Sequence, residues 1–357
     1  MTLKEQLFNK KTILMFLELV NTHYPLNVDK LTKELLQTIK PLELKERMTA
    51  LTKILEREIK LDYLSVLTIF DKIMLFQKED HFVFGSILEY VELNGLTPEF
   101  VDESLKRLGE YTKVFTAELA IRSFLNDFEA ETLVYVREWS ISKDCHRRRL
   151  ASEGTRPSLP WAKKIGLEYP KAISWLNNLY YDTERYVTRS VANHLNDISK
   201  INPKLVVKTL ETWQKEDKQS KKEMDYIISH SLRTLIKKGN PLALEFLGYN
   251  MKAILLIKNL ETDKKVVSVG DNIILKFDIH SQEDKLIVDY IVHFQLKSGR
   301  ASKKIYKLKQ IDKSGITHVE KKVAFNQRST RKIYPGVHLI EIQVNGKIVG
   351  SVTVTVV

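Results

Sequence analysis

The chain has 357 residues, 43% of them hydrophobic, with only nine prolines and thirteen glycines, which excludes a mainly disordered or fibrous protein and points to about two domains. One cysteine, Cys145, excludes a disulfide framework and a cysteine-rich zinc site. The 57 Lys and Arg outnumber the 45 acids unevenly: residues 1–110 hold 15 basic and 18 acidic side chains, residues 111–260 hold 25 and 17, and residues 261–357 hold 17 and 10.

A net positive charge confined to the last two-thirds fits a polyanionic partner, because cations that neutralise phosphates release condensed counterions. A solvated lysine-rich surface fits it equally. In chain order, the first apolar stretch, Ile13–Val20, is interrupted by Glu18 and is too short to span a bilayer. No small-residue cleavage site follows it, and no other apolar run reaches transmembrane length. The expectation is a soluble, cytoplasmic protein that does not engage a membrane.

To about residue 260 the apolar residues recur at helical spacing, as in Leu51, Ile54, Leu55 and Ile59, and in Leu61, Leu64, Leu67 and Ile69. Prolines mostly fall between such runs and punctuate them. Trp139, Trp175 and Trp213 are spaced by 36 and 38 residues, and SVANHLNDISKINP (residues 190–203) echoes SHSLRTLIKKGNP (residues 229–241). A period near 40 built from helix pairs is the size of a HEAT or armadillo unit. Such units bury their apolar faces by stacking, which predicts a solenoid with a long concave surface. A non-repetitive helical bundle is the alternative.

After about Leu260 the period changes to two. Ile273, Leu275, Phe277 and Ile279 alternate with polar residues, as do Tyr290, Val292, Phe294 and Leu296, and Val352, Val354 and Val356. Asn345-Gly346 reads as a two-residue hairpin turn. The predicted architecture is therefore an all-α solenoid of HEAT-like repeats over residues 1–260, followed by an all-β immunoglobulin-like sandwich over residues 265–357, without an inter-sheet disulfide. Lys303, Lys304, Lys307, Lys309, Arg328, Arg331 and Lys332 concentrate charge on the second part.

The chain has no glycine-rich phosphate loop, no Gly-x-Ser-x-Gly elbow and no His-Glu-x-x-His, so an enzyme here works without a nucleotide cofactor or metal. One segment stands apart, CHRRRLASEGTRPSLPW over Cys145–Trp161. Three consecutive arginines on a helix point to different sides, so one i,i+4 pairing cannot serve them all. In the following loop Trp161 is suited to stack on a base, Arg156 to hold a phosphate and Glu153 to stabilise a cation. The same residues fit an inter-helix loop that simply packs. Glu118 and Arg122 stand at i,i+4 and read by themselves as a surface ion pair. Asn193, His194, Asn196 and Asp197 form a polar cluster at a helix end, where capping is the common explanation.

HRRRLASEGTRPSLPW followed by SVANHLNDISKINP, with TAELAIRSFL (residues 116–125) upstream, resembles the signature of AlkC-type DNA alkylation-repair glycosylases, in the superfamily of HEAT-like-repeat AlkC and AlkD proteins. The resemblance covers most of the helical region, and the C-terminal part matches the immunoglobulin-like domain some members carry. It implies a monofunctional DNA glycosylase that hydrolyses the N-glycosidic bond of cationic N-alkylated bases, of the 3-methyladenine and 3-methylcytosine class, in duplex DNA. The carboxylates the resemblance places at the sugar are Glu118 and Glu153, which would stabilise the oxocarbenium-like state and position water. Trp161 would contact the lesion nucleotide. The charge of the arginine run points to Arg148 and Arg156 as phosphate contacts, and the resemblance adds Asn193 and His194 as further DNA contacts of a monomer that is nucleoid-associated when bound to DNA. The competing readings are a non-catalytic HEAT-like protein that grips bent or branched DNA, and a peptide-binding scaffold.

Overall fold

The computed structural model describes residues 2–75, 81–283, 285–327 and 331–357; Arg328 lies outside them. The helices run α1 (Leu3–Leu7), α2 (Lys10–Asn21), α3 (Val28–Thr38), α4 (Leu44–Glu58), α5 (Tyr63–Met74), α6 (Gly85–Asn94), α7 (Val101–Tyr111), α8 (Ile121–Asp127), α9 (Glu129–Ser140), α10 (Cys145–Glu153), α11 (Ile173–Leu179), α12 (Arg185–Ser199), α13 (Pro203–Glu216), α14 (Lys221–Lys237) and α15 (Pro241–Phe246). Their starts follow from local chemistry. The Asp144 carboxylate caps α10 by accepting from His146 N at 2.9 Å and Arg147 N at 3.1 Å. Pro203 and Pro241 open α13 and α15, where a missing N–H costs nothing.

Contacts divide the chain into two compact units, Met1–Ile198 with Thr212–His230, and Ser199–Glu211 with Ser231–Val357. In the first unit Trp139 and Trp175 lie in α9 and α11, and Trp213 in the part of α13 that belongs to it; all three are buried. Side chains bond to groups one repeat away along its whole length. Tyr63 Oη and Ser104 Oγ are 41 residues apart, Tyr111 Oη and Asp71 Oδ1 40, Arg147 Nε and Gly109 O 38, Asn178 Nδ2 and Ser140 Oγ 38, and Trp213 Nε1 and Asn177 Oδ1 36. This stagger is what stacked helical repeats produce. It extends into the N-terminal third, where no sequence string announces it.

The stripe expected on Leu61, Leu64, Leu67 and Ile69 is half right. Leu67 and Ile69 are buried, but Leu61 and Leu64 are 45% exposed. The Asp62 carboxylate caps α5 by accepting from Ser65 N at 3.0 Å, which leaves Leu61 outside the helix and turns Tyr63, Val66 and Phe70 inward.

In the second unit the strands are β1 (Leu255–Thr262), β2 (Val266–Val267), β3 (Asn272–Ser281), β4 (Leu286–Gln295), β5 (Ala301–Ile311), β6 (Gly315–Ala324), β7 (Gly336–Val344) and β8 (Lys347–Val356). They form one sheet in the order β1-β3-β6 and another in the order β2-β8-β7-β4-β5. The alternating residues of β3 and β4 supply the core between them. Strand structure begins at Leu255, ahead of the alternation visible in the sequence, because a bulge between Lys258 and Glu261 breaks the period of β1. Asn345 and Gly346, at φ 44° and 78°, make the β7–β8 turn, and positive φ at both positions is the primed geometry a twisted hairpin prefers. Here Gly346 meets Gly239 so closely that a Cβ on Gly239 would lie 2.4 Å from its Cα. The outer face of β4 is covered too: Ile287 packs with Leu244 and Tyr249.

Candidate active site

Each arginine of the 147–149 run reaches a different neighbour, as their angular spread on α10 requires. Arg147 donates to Gly109 O at 2.9 Å and pairs with Glu110. Arg148 holds Asp182 with two nitrogens, Nη2 to Oδ1 at 3.0 Å, and its Nη1 donates to Ser142 O and Lys143 O. Arg149 points to the acids: it pairs with Glu118, stands 3.8 Å from Glu153, donates to Thr116 Oγ1 at 2.7 Å and lies over the Tyr186 ring at 5.2 Å. One guanidinium thus joins both expected carboxylates.

Glu153 ends α10 and is 6% exposed. Its Oε1 accepts from Arg156 Nη1 at 2.5 Å and its Oε2 from Ser190 Oγ at 2.6 Å. Burial pushes the carboxyl pKa up, but Arg149, Arg156 and the Ser190 hydroxyl outweigh burial and hold it below its ordinary value. Arg156 turns its other edge to Asp197, with Nε and Nη2 each 2.9 Å from Oδ2. Gly154, next in the chain, stands where a Cβ would meet Ile121 Cδ1 at 2.6 Å, so a larger residue there would force Ile121 of α8 to shift.

Glu118 is half-buried, with Thr116 Oγ1 donating to its Oε2 at 2.7 Å. Its partner is Arg149; the surface pair with Arg122 read from the i,i+4 spacing does not form, because Arg122 is 1% exposed and turned onto backbone carbonyls. Trp161 is 71% exposed, and its backbone sits in the left-handed region at φ 64°. That conformation is uncommon for a bulky residue and is strained.

The remaining expected contacts take supporting places. Arg148 and Arg156 are engaged inside the protein, and a phosphate contact by either would come in addition to these pairs or in place of them. His194 has no exposed surface; its Nδ1–H donates to Ser152 O at 2.9 Å while Nε2 is buried without a partner. Burial lowers this ring to about 4, so it is neutral and packed beneath Glu153, not offered to DNA. Asn193 is half-buried, and its Oδ1 is bonded to His230 Nε2 at 2.9 Å.

Sequence reasoning missed Arg149, Ser190, Asp182 and Tyr186 as members of this network. Ser190 carried a signal, since it lies 38 residues, one repeat, from Ser152, to which it also bonds. Among the described residues no group of His, Cys, Asp and Glu could hold a metal ion, and no helix is long and apolar enough to cross a membrane.

Comparisons with known proteins show the family and the fold of the chain. Residues 28–229 match the family model described as DNA alkylation repair enzyme, and residues 256–357 match the C-terminal Ig-like domain of YhaZ. A Bacillus subtilis relative, "Uncharacterized protein YhaZ", is 33% identical over 97% of both chains. The solved structure of Pseudomonas fluorescens alkylpurine DNA glycosylase AlkC, bound to DNA containing an abasic site analog, superposes with a TM-score of 0.91 at 32% identity, over 100% of both chains. The architecture is helical repeats followed by an immunoglobulin-like domain.

Proposed function

The chain belongs to the DNA alkylation repair enzyme family, and from that premise we propose that it is a monofunctional glycosylase that releases cationic N-alkylated bases, of the 3-methyladenine and 3-methylcytosine class, from duplex DNA. The observation that carries the reading is Glu153: a buried carboxylate kept ionised by two arginines, linked through Arg149 to Glu118, at the start of the loop that presents Trp161.

A base that already bears a positive charge leaves without being protonated. As the C1′–N bond breaks, its electron pair goes to the base and neutralises it, and positive charge grows on the sugar. Glu153 and Glu118 stabilise that charge and orient a water whose oxygen bonds C1′ and whose proton is released. Arg149 and Arg156 hold the carboxylates where preorganised charge is most useful, and Trp161 offers its π face to the cationic base. Lys303, Lys304, Lys307 and Lys309 on β5 are exposed and add phosphate contacts. Residues 1–260 carry the chemistry, residues 265–357 assist binding, and the enzyme acts as a monomer.

One observation favours a second reading. Both carboxylates already have arginine partners inside the protein, as they would in a non-catalytic protein that grips bent or branched DNA. Incubation with methylated genomic DNA, followed by analysis of free bases, separates the two. A glycosylase releases methylated bases with time, whereas a binding protein releases none.

A further inference from the structure

Arg122 is the anomaly of the site. It is buried, and among the described residues no carboxylate pairs with it. Burial and the neighbouring Arg156 lower its pKa to about 10, the reverse of what a paired arginine shows. A desolvated guanidinium is costly unless hydrogen-bonded, and here backbone carbonyls supply the bonds.

Its bonds share one target. Nη1 donates to Gly154 O at 3.0 Å and to Arg156 O at 2.9 Å, and Nε donates to Lys163 O. These carbonyls bracket residues 157–162, the loop whose tip is Trp161. The next residue but three on α8 continues the grip: Asn126 Nδ2 donates to Lys164 O at 2.9 Å and its Oδ1 accepts from Gly166 N at 3.1 Å. Lys163 is tied to Glu92 and Ser123, each at 2.7 Å, and Lys45 Nζ reaches Trp161 O at 3.2 Å. These bonds hold the loop's backbone or its base, and among the described residues none holds the indole, so the exposed ring depends on how the backbone is fixed.

We propose that Arg122 is the positioning residue of Trp161: by tying the carbonyls on both sides of the loop to one rigid fork, it imposes the left-handed backbone that aims the indole away from the protein. The proposal rests on the reading of Trp161 as the residue that meets the damaged nucleotide. Lysine cannot replace arginine fully, because a point charge lacks the planar fork that spans three carbonyls.

The test uses the full chain with Arg122→Gln, Arg122→Lys, Trp161→Ala and the double variant Arg122→Gln/Trp161→Ala. Two readouts are taken: hydrogen exchange of residues 157–166, and affinity for duplex carrying an abasic-site analogue relative to plain duplex. Arg122→Gln is expected to speed exchange in 157–166 while α4 and α12 stay protected, and to reduce the preference for the abasic duplex by about tenfold, close to 1.4 kcal/mol. Arg122→Lys falls between it and wild type. The double variant loses no more preference than Trp161→Ala, since Arg122 acts through Trp161. Unchanged exchange in 157–166, or losses that multiply in the double variant, overturns the proposal. If Trp161→Ala alone keeps the preference, the reading of Trp161 fails, and the exchange data still decide whether Arg122 holds the loop. Should Arg122→Gln not fold, Arg122→Lys carries the same comparisons.

Discussion

Glu153 and Arg156 are joined by a 2.5 Å hydrogen bond between two buried side chains three residues apart, and the same guanidinium also holds Asp197. Removing Arg156 would take from two buried carboxylates the cation they share, leaving Glu153 to the more distant Arg149. Arg156→Ala is therefore expected to lower unfolding free energy by about 3–5 kcal/mol, measured by urea denaturation. An unchanged midpoint, with a shallower salt dependence of DNA binding, would return Arg156 to the phosphate role expected from sequence.

His194 makes stability depend on mildly acidic pH. Its folded value of about 4 lies below the ordinary 6.5, because burial disfavours the charged ring beneath Arg156 and Glu153. The unfolded chain therefore binds the extra proton first as pH falls from 6.5. The contribution is complete above 6.5 and is lost on descent toward 4. Between pH 7.5 and pH 5 it amounts to about 2 kcal/mol. Thermal unfolding of wild type and His194→Gln at both pH values checks this: the wild type should lose more stability than the variant, and parallel losses would contradict it.

The β5 lysines give a test of the second unit that leaves the fold intact. Ending the chain near Asn259 would uncover Leu244 and Tyr249, which pack with Ile287, so such a truncation is expected to aggregate. Lys303→Gln with Lys304→Gln changes only exposed charge. Binding to lesion and plain duplex should weaken alike, with the salt slope falling by roughly one unit per lost phosphate contact. Titrations over a range of salt measure it, and an unchanged slope would remove β5 from the DNA interface.

Much of this was legible in the sequence for physical reasons that also mark where legibility ends. The spacing of Trp139, Trp175 and Trp213 exposed the repeat because all three indoles are buried in alternate helices, α9, α11 and α13. Asn345-Gly346 announced its turn because few residues tolerate two positive φ angles. The pairing of Arg156 with Asp197, 41 residues away, follows from how repeats stack, which one helix does not encode. Arg122 was read as a surface partner of Glu118 because i,i+4 spacing is visible, whereas the carbonyls it serves carry no sequence signal at all.

The central claim is that Glu153 and Glu118 stabilise positive charge on the sugar, and it is tested most directly by excision rates on duplex containing 3-methyladenine. Wild type, Glu153→Gln and Glu118→Gln should be compared under single turnover with enzyme in excess. Glutamine keeps the side-chain shape and loses the charge. Each variant should excise more than about tenfold more slowly, a barrier increase of at least about 1.4 kcal/mol, while affinity for the duplex holds or tightens because a negative charge near phosphates is gone. Equal rates for all three proteins, or no release of 3-methyladenine by the wild type, would contradict the account.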